Sequence, residues 1–197
     1  MEPTAPFPRR SGTAEVSVRP ARAEDAGEVA RIQAVTWRTA YRTLLPPDVL
    51  DGWDEEAAAD AWRTAVVSPP TPAHGVLVAL ERDAPVGFAA YGPAGPDAGA
   101  APRPGGAATE IATLLVDPRW GRRGHGSRLL AAVVDLARAA HVTRLQAWLP
   151  EEDTASARFF GSAGWAPEGW VRTLDTGAVP LRETRWYTLI EEADDNP

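Results

Sequence analysis

Apolar and polar positions along the first third of the chain predict one strand and two helices. Val16 to Val18 alternates apolar with polar residues, which is typical of a strand. The apolar residues of Val29 to Trp37 recur at helical spacing, and Pro46-Pro47 ends the helix that they predict. Val49 to Trp62 keeps that spacing, so a second helix is expected to end before Ser68-Pro69-Pro70.

Short apolar runs and turn residues dominate the middle of the chain. Val76 to Leu80 and Val86 to Tyr91 predict an antiparallel hairpin, connected by the segment Glu81 to Pro85. Gly92 to Ala108 is so rich in Gly, Pro and Ala that it predicts no regular structure, and it is either a lid or a disordered loop. The hairpin is therefore followed by a long irregular segment.

Strand and helix patterns alternate after this segment. Glu110 to Val116 and Arg144 to Leu149 have strand patterns on either side of a helix from Gly124 to Ala140, which predicts a βαβ unit with a right-handed crossover. A short helix and two strands able to pair antiparallel follow, at Thr154 to Ser162, Trp170 to Leu174 and Arg182 to Ile190. The pattern predicts one α/β domain over residues 15–191, with a flexible tail at 1–14 and a C-terminal tail at 192–197.

The composition excludes several kinds of chemistry. The chain has no Cys, and all 20 of its Lys and Arg residues are Arg. A thiolate nucleophile, a disulfide framework, a Cys-rich zinc site, a Schiff-base lysine and a P-loop lysine are therefore excluded. The three histidines lack metal-ligand spacing, so we expect no metal at His74, His125 or His141.

Charge and hydropathy narrow the range of partners. The net charge of −7 at pH 7 argues against a broad basic face for nucleic acid and suits a small, cationic substrate. The longest apolar runs, such as Leu129 to Val134, are far shorter than a membrane span, and the N-terminus lacks the apolar core of a signal peptide. We therefore expect a cytoplasmic protein that binds neither membrane nor nucleic acid, and we leave a homodimer open.

The segment from Val116 to Leu130 carries the strongest chemical signal. Pro118 ends the preceding strand, and Gly124 and Gly126 let backbone N–H groups face outward at the N-terminus of the next helix, where the helix dipole attracts an anion. A dinucleotide fingerprint needs a third Gly at Leu129 and a P-loop needs Lys, so a different pyrophosphate ligand is predicted. The residues expected to hold it are Arg122, Arg123, Gly124, His125, Gly126 and Ser127.

This segment resembles the signature of the GCN5-related N-acetyltransferase (GNAT) superfamily, Arg/Gln-x-x-Gly-x-Gly/Ala after a strand that ends in apolar-x-Val-x-Pro. Gly124 and Gly126 occupy its two small positions, and Gly121 stands where the family usually has Arg or Gln. Leu114-Leu115-Val116 matches the strand whose backbone would bond the pantetheine arm of acetyl-CoA. The resemblance spans Val16 to Ile190. It implies a mixed, mostly antiparallel sheet of six or seven strands with helices on both faces, and acetyl-CoA where the two parallel strands separate.

A second block, Asp153 to Trp165, resembles the family pattern Asn-x-x-Ala-x-x-Phe-Tyr-x-x-x-Gly-Phe. Asp153 replaces its Asn, and Phe160 replaces the Tyr that in many relatives protonates the departing thiolate. The resemblance implies that both positions contact the cofactor. The segment from Trp37 to Tyr41 resembles the first helix of a bacterial branch of the superfamily, which implies that these two aromatic residues lie near the acceptor.

The chain offers two catalytic candidates, one of them implied by the resemblance. Family members often place a carboxylate where Glu110 begins its strand, so Glu110 is a candidate base acting through water; the alternative is an exposed strand-end Glu. Tyr187 is a candidate acid or substrate contact, against the alternative of a half-buried sheet residue. The backbone N–H of Leu115 or Val116 is a candidate donor to the oxyanion.

The function predicted from these features is direct transfer of an acetyl group from acetyl-CoA to a primary amine of a small molecule. A chain without Cys cannot form a cysteinyl acyl-enzyme, so attack by the amine on the bound thioester is the simplest route. Two alternatives stay open. One is acetylation of protein N-termini or lysines, and the other is a module that binds acyl-CoA without catalysis.

Overall fold

The structure is a computed structural model, and it describes residues 16–42, 47–95, 108–175 and 180–190. The predicted tails at 1–14 and 192–197 lie outside these residues, as does most of the predicted loop from Gly92 to Ala108. The described ranges contain a counterpart for each strand and helix that the hydrophobic pattern predicts.

The strands form a single seven-stranded sheet in the order β1-β2-β3-β4-β5-β7-β6. Their bounds are β1 Val16–Pro20, β2 Gly75–Glu81, β3 Ala84–Pro93, β4 Thr109–Val116, β5 Arg144–Pro150, β6 Ala166–Leu174 and β7 Leu181–Leu189. β4 and β5 pair parallel, and the other neighbouring pairs are antiparallel. The expected mixed, mostly antiparallel sheet is confirmed.

The helices are α1 Ala26–Ala40, α2 Pro47–Asp51, α3 Glu55–Val67, α4 His125–Ala139 and α5 Thr154–Ser162. The prediction of one continuous helix from Val49 to Trp62 is wrong, because this region holds both α2 and α3. The Asp54 side chain accepts a hydrogen bond from the Ala57 N–H at 2.9 Å and so caps a new helix just after Gly52.

Two further boundaries differ from the pattern-based prediction. The predicted connection Glu81 to Pro85 is too long, because only Arg82 and Asp83 separate β2 from β3, and Arg82 adopts a positive φ of 55°. β6 begins at Ala166, before the predicted Trp170. A bulge in its pairing with β7 interrupts the alternation of side chains that marks a strand in the sequence.

Helices cover both faces of the sheet, as expected. On one face, Leu129 and Val133 of α4 pack in a core with Leu77 of β2. On the other face, Ile32 of α1 packs in a second core with Val78 of β2. Neighbouring residues of β2 belong to different cores because successive strand side chains point to opposite faces.

The two parallel strands pair only over a short stretch. Thr109 to Ile111 of β4 lies opposite Leu145 to Ala147 of β5, and the register given for this pair ends there. At the same point a bulge in β4 leaves Ala112 as an extra residue against β3. The strands separate beyond it and leave a gap in the middle of the sheet.

Candidate active site

Two cavities adjoin at this gap, and together they form a cleft. The phosphate cavity, of about 370 Å³, is lined by Leu114, Val116, Trp120, Gly121, Arg122, Gly124, His125, Gly126, Ser127, Ala155, Ser156 and Phe159. The transfer cavity, of about 310 Å³, is lined by residues 111–115 and 147–150, Trp37, Tyr41, Ser156, Phe160, Leu174, Asp175, Leu181 and Glu183. Leu114 and Ser156 line both cavities, so the two lie side by side.

The phosphate cavity is built around the N-terminus of α4. Gly124 precedes the helix in a left-handed conformation with φ of 83°. Any residue that carries a side chain would adopt this conformation only at a cost in free energy. A methyl group at Gly126 would meet the Phe159 ring at 3.4 Å, in van der Waals contact. The first backbone N–H groups of α4 have no partner within the helix, so they face this cavity as anion donors together with the positive end of the helix dipole.

The two predicted arginines lie in different places. Arg122 lines the phosphate cavity, with a left-handed φ of 62°. The Arg123 guanidinium lies 4.7 Å from the centre of the Trp120 ring, and Arg123 is not among the residues that line this cavity. Ser127, predicted with them, does line the cavity. The arrangement favours Arg122 over Arg123 as a direct partner for an anion.

His125 lines the phosphate cavity but is almost completely buried, with 1% of its surface exposed. Its Nε2 lies 3.1 Å from a carboxylate oxygen of Glu81, without the alignment of a hydrogen bond. Burial lowers the pKa of His125, while the charge of Glu81 acts in the opposite direction. At neutral pH the imidazole is therefore neutral. The positive potential of this cavity comes from the backbone and from Arg122.

Asp153 organises the wall that the two cavities share. Its Oδ1 accepts a hydrogen bond from the Ser156 N–H at 2.9 Å, and its Oδ2 accepts one from the Ser156 hydroxyl at 2.7 Å. These bonds cap α5 and fix the rotamer of Ser156. Asp153 itself lines neither cavity, so it acts on the cleft through Ser156.

Trp37 and Tyr41, the predicted acceptor contacts, both line the transfer cavity. The Tyr41 hydroxyl lies beside Asp153 and Ser156. Burial, followed by the negative charge of Asp153, raises the pKa of Tyr41 well above its usual range. Tyr41 therefore stays protonated at physiological pH and serves as a neutral hydrogen-bonding wall.

Phe160 also lines the transfer cavity, with 3% of its surface exposed. Its ring packs edge-on against Phe159 at 5.2 Å and Trp165 at 4.8 Å between ring centres. It has no hydroxyl at the place where the family pattern has one. Any proton for the departing thiolate must come from another group or from water.

Glu110 and Tyr187, the predicted catalytic residues, occupy one row across the sheet. Strand registers place Glu110, Gln146 and Tyr187 side by side on β4, β5 and β7. A carboxylate oxygen of Glu110 accepts a hydrogen bond from Gln146 Nε2 at 2.6 Å, and the Arg144 guanidinium lies 4.4 Å from the Tyr187 ring centre. Neither Glu110 nor Tyr187 is among the residues that line the transfer cavity. Their catalytic roles stay predictions.

Glu110 instead lines a neighbouring cavity of about 330 Å³, next to Trp62 of α3. Ala112 lines both this cavity and the transfer cavity. The cavity that Glu110 lines and the transfer cavity therefore meet at the bulge in β4.

Sequence reasoning missed two acidic residues of the transfer cavity, Asp175 and Glu183. Glu183 is buried, with 7% of its surface exposed, and accepts a hydrogen bond from Arg172 Nε at 2.6 Å. The alternation of β7 places Glu183 and Tyr187 on one face, but no local pattern shows that this end of β7 lines one cavity with residues of α1 and β4.

The described residues also limit other kinds of site. Within residues 16–42, 47–95, 108–175 and 180–190, no three His, Asp or Glu side chains are grouped so as to hold a metal ion. None of the helices in this part of the chain is long and apolar enough to cross a membrane.

The family model described as the acetyltransferase (GNAT) family matches residues 24–165, more than half of the chain. The chain belongs to the GNAT family of acetyltransferases. This acetyltransferase is 27% identical over 139 residues to the uncharacterized N-acetyltransferase YuaI of Bacillus subtilis (strain 168), and the match covers 70% of this chain and 73% of YuaI. The predicted superfamily and enzyme class are thereby confirmed.

Solved structures of other acetyltransferases share the fold of this GNAT enzyme. The yncA protein of Salmonella typhimurium with its cofactor acetyl-CoA aligns at a TM-score of 0.65 and 18% identity, over 93% of this chain and 99% of that chain. The PaiA N-acetyltransferase of Thermoplasma acidophilum in complex with coenzyme A aligns at 0.63 and 12% identity, over 89% and 99%. The ribosomal-protein-alanine N-acetyltransferase of Brucella melitensis aligns at 0.65 and 22% identity, over 88% and 99%.

Proposed function

We propose that this enzyme transfers an acetyl group from acetyl-CoA directly to the primary amine of a small molecule. The observation that carries the proposal is the pair of adjoining cavities, one an anion cradle and the other walled by aromatic rings. They meet at Leu114 and Ser156, so a ligand with a phosphate end and a thioester end can occupy both.

Acetyl-CoA suits the chemistry of the cleft along its whole length. The N-terminus of α4 and Arg122 would hold the pyrophosphate. Beyond Ile111 the backbone of β4 faces a cavity on its β5 side, so its N–H and C=O groups would bond the amides of the pantetheine arm. Relatives of the same fold were solved with coenzyme A and with acetyl-CoA, which supports this cofactor.

The reaction needs a proton to leave the amine and a proton to reach the sulfur. The nitrogen lone pair attacks the thioester carbon, the N–C bond forms and the C–S bond breaks. A free alkyl amine of pKa about 10.4 must lose its proton at a cost of about 4.6 kcal/mol at pH 7. We propose Glu110, acting through water past Ala112, as the base, and a backbone N–H of Leu115 or Val116 as donor to the oxyanion.

The shape of the transfer cavity favours a small acceptor. Trp37, Tyr41 and Trp148 wall a space of about 310 Å³, which is at the lower end of the range for small-molecule sites. A protein acceptor would need an open groove for the residues that follow its terminal amine. The aromatic walls are the feature that argues for a compact amine.

The test is a thiol-release assay with acetyl-CoA against small amines and against peptides with free N-termini. We expect turnover with small amines and little with peptides. Faster turnover of peptides would replace the small-molecule proposal with protein acetylation. Binding of acetyl-CoA by calorimetry with no turnover of any acceptor would instead identify a binding module.

A further inference from the structure

His74 and Glu110 line the same cavity, beside the transfer cavity. This cavity has a volume of about 330 Å³ and meets the transfer cavity at Ala112. Tyr91 is the other titratable side chain among the described residues that line it. Burial raises the pKa of Tyr91, so its phenol stays neutral at pH 7. His74 and Glu110 are therefore the two groups of this lining that can take up a proton.

A row of residues across the strands brings these two side chains together. Gly92 of β3 lies directly opposite Glu110 of β4, so both residues belong to the same face of the sheet. The imidazole of His74 occupies the space that a side chain at Gly92 would fill, because a Cβ atom there would lie 2.3 Å from Cδ2 and 2.8 Å from Nε2 of His74. Opposite residues have Cβ atoms about 4.5–5.5 Å apart, so this edge of the ring lies beside Glu110.

The two nitrogens of His74 face different surroundings. Nδ1 lies 2.9 Å from the hydroxyl oxygen of Thr71, an exposed residue of the turn that precedes β2. Nε2 lies over Gly92, toward the cavity that Glu110 lines. The half-buried imidazole therefore extends from the surface to the row of Glu110. Histidine is suited to carry protons between two such surroundings, because each ring nitrogen can bind or release one near neutral pH.

The proposed reaction produces a proton that must leave the cleft. An ammonium group loses two protons when it becomes an amide, and the departing sulfur takes up one of them, because a thiol of pKa about 8.5 stays protonated at pH 7. The other proton passes to the base, so Glu110 must be deprotonated again in every turnover. Gln146 donates a hydrogen bond to Glu110 at 2.6 Å, but its amide nitrogen is a donor and does not accept this proton.

Resting on the proposed function, we infer that His74 is the proton outlet of Glu110. Glu110 passes the proton from the acceptor through water in the shared cavity to Nε2 of His74, and the imidazolium releases a proton to bulk solvent. A cavity of about 330 Å³ has room for this water. His74 acts through Glu110 and does not touch the reacting atoms. It sets how fast the carboxylate of Glu110 is restored between turnovers.

The first test removes the imidazole and then supplies it from solution, with the small amine that is turned over fastest in the thiol-release assay. We expect His74→Ala to lower kcat at pH 7 about tenfold, with affinity for acetyl-CoA unchanged. Free imidazole should restore most of the loss by taking the proton from Glu110. It should not accelerate the native enzyme or the control His141→Ala, which removes an exposed histidine that lines none of the three cavities.

The second test, Gly92→Ala, displaces the imidazole without removing it. The added methyl group would occupy the place of the ring, so His74 must move and kcat should fall by a similar factor. In the His74→Ala background Gly92→Ala should have little further effect, because both changes break the same contact. Gly27→Ala is the control, since no described atom lies within 4 Å of its added methyl group. Calorimetric affinity for acetyl-CoA checks that each variant folds. If Gly92→Ala fails that check, the response of His74→Ala to imidazole decides.

The outcomes separate this inference from the proposed function. A native kcat in His74→Ala or in folded Gly92→Ala, or a loss in His74→Ala that imidazole does not restore, would overturn the proton outlet and leave the acetyltransferase in place. A native rate in Glu110→Gln would overturn both the base and its outlet. Absence of turnover with every amine would overturn the proposed function and the outlet with it. A loss that imidazole restores in His74→Ala, and that Gly92→Ala reproduces, supports the inference.

Discussion

The two cavities of the cleft are formed by different parts of the chain, mainly backbone in one and side chains in the other. The phosphate cavity depends on backbone, chiefly the left-handed Gly124 and the free N–H groups of the first turn of α4. The transfer cavity depends on side chains from separate elements, such as Trp37 of α1, Trp148 of β5 and Glu183 of β7. A backbone site binds the constant part of a cofactor and needs only one short segment. A site formed by side chains can change its acceptor through substitutions, and it forms only when the separate elements are brought together by the whole fold.

The largest expected effect tests whether Glu110 acts on the acceptor. If it is the base for the acceptor, Glu110→Gln should lower kcat/KM by at least about a hundredfold and change its dependence on pH, with affinity for acetyl-CoA unchanged. Gln retains an oxygen that accepts the hydrogen bond from Gln146, so the local structure should persist. The measurements are a pH-rate profile and calorimetry.

The control for this experiment is Glu24→Gln, which alters an exposed carboxylate that lines none of the three cavities described above. A native rate and profile in Glu110→Gln would remove Glu110 from the mechanism. Attention would then move to carboxylates that line the transfer cavity directly.

The backbone character of the phosphate cavity is tested at Gly124. Gly124→Asp introduces a side chain at φ of 83° and a negative charge beside the proposed pyrophosphate position, so affinity for acetyl-CoA should fall about fiftyfold. Gly124→Ala adds only the methyl group, 2.7 Å from the movable end of Arg128, and should cost several-fold less. Calorimetry with acetyl-CoA measures both variants. Equal losses would show that charge has no part in the site.

The same contrast explains what could be predicted from the sequence. The βαβ unit and its Gly124-His125-Gly126 turn are local, so periodicity and turn chemistry were sufficient to predict them, and α5 was predicted with its observed bounds, Thr154–Ser162. The separation of β4 from β5 was expected from the family resemblance. The bulge at Ala112, beyond which these strands separate, has no sequence signal of its own.

The two acidic residues that line the transfer cavity, Asp175 and Glu183, could not be predicted from local pattern. Asp175 follows a bulged strand, and Glu183 is a polar residue on an alternating one, so each looks like an ordinary surface position. They reach the cavity only because β7 inserts between β5 and β6 in the sheet. The division of the predicted helix into α2 and α3 near Gly52 was also missed. The helical spacing of apolar residues continues across the break, and it does not show that Asp54 caps a new helix.

A smaller effect concerns the contribution to stability of Asp117, at the start of the turn that leads to the phosphate cavity. Asp117, fully buried at the end of β4, accepts hydrogen bonds from the side chains of Arg119 at 2.8 Å and Arg31 at 3.1 Å. The hydrogen bond from Arg119 is the main cause that lowers the pKa of Asp117 to about 2. A lowered carboxyl pKa stabilises the folded state above the unfolded pKa of about 3.9, and this is lost as pH falls toward about 2.

We therefore expect Asp117→Asn to lose about 2 kcal/mol of unfolding free energy at pH 7 and much less near pH 2. Urea unfolding of both proteins across this range is the measurement. A stability difference that does not change with pH would assign the loss to packing rather than to the charge of Asp117.

The smallest expected effect separates the two arginines of the phosphate turn. Arg122 lines the phosphate cavity, whereas the guanidinium of Arg123 lies over Trp120, so Arg122→Gln should weaken acetyl-CoA binding about fivefold and Arg123→Gln less than about twofold. The difference should shrink at high salt, because screening weakens an exposed ion pair more than backbone hydrogen bonds. Equal losses in the two variants would mean that the arginines act only through their summed charge. The side chain of Arg122 would then have no specific place in the site, and its contribution to binding would be long-range attraction only.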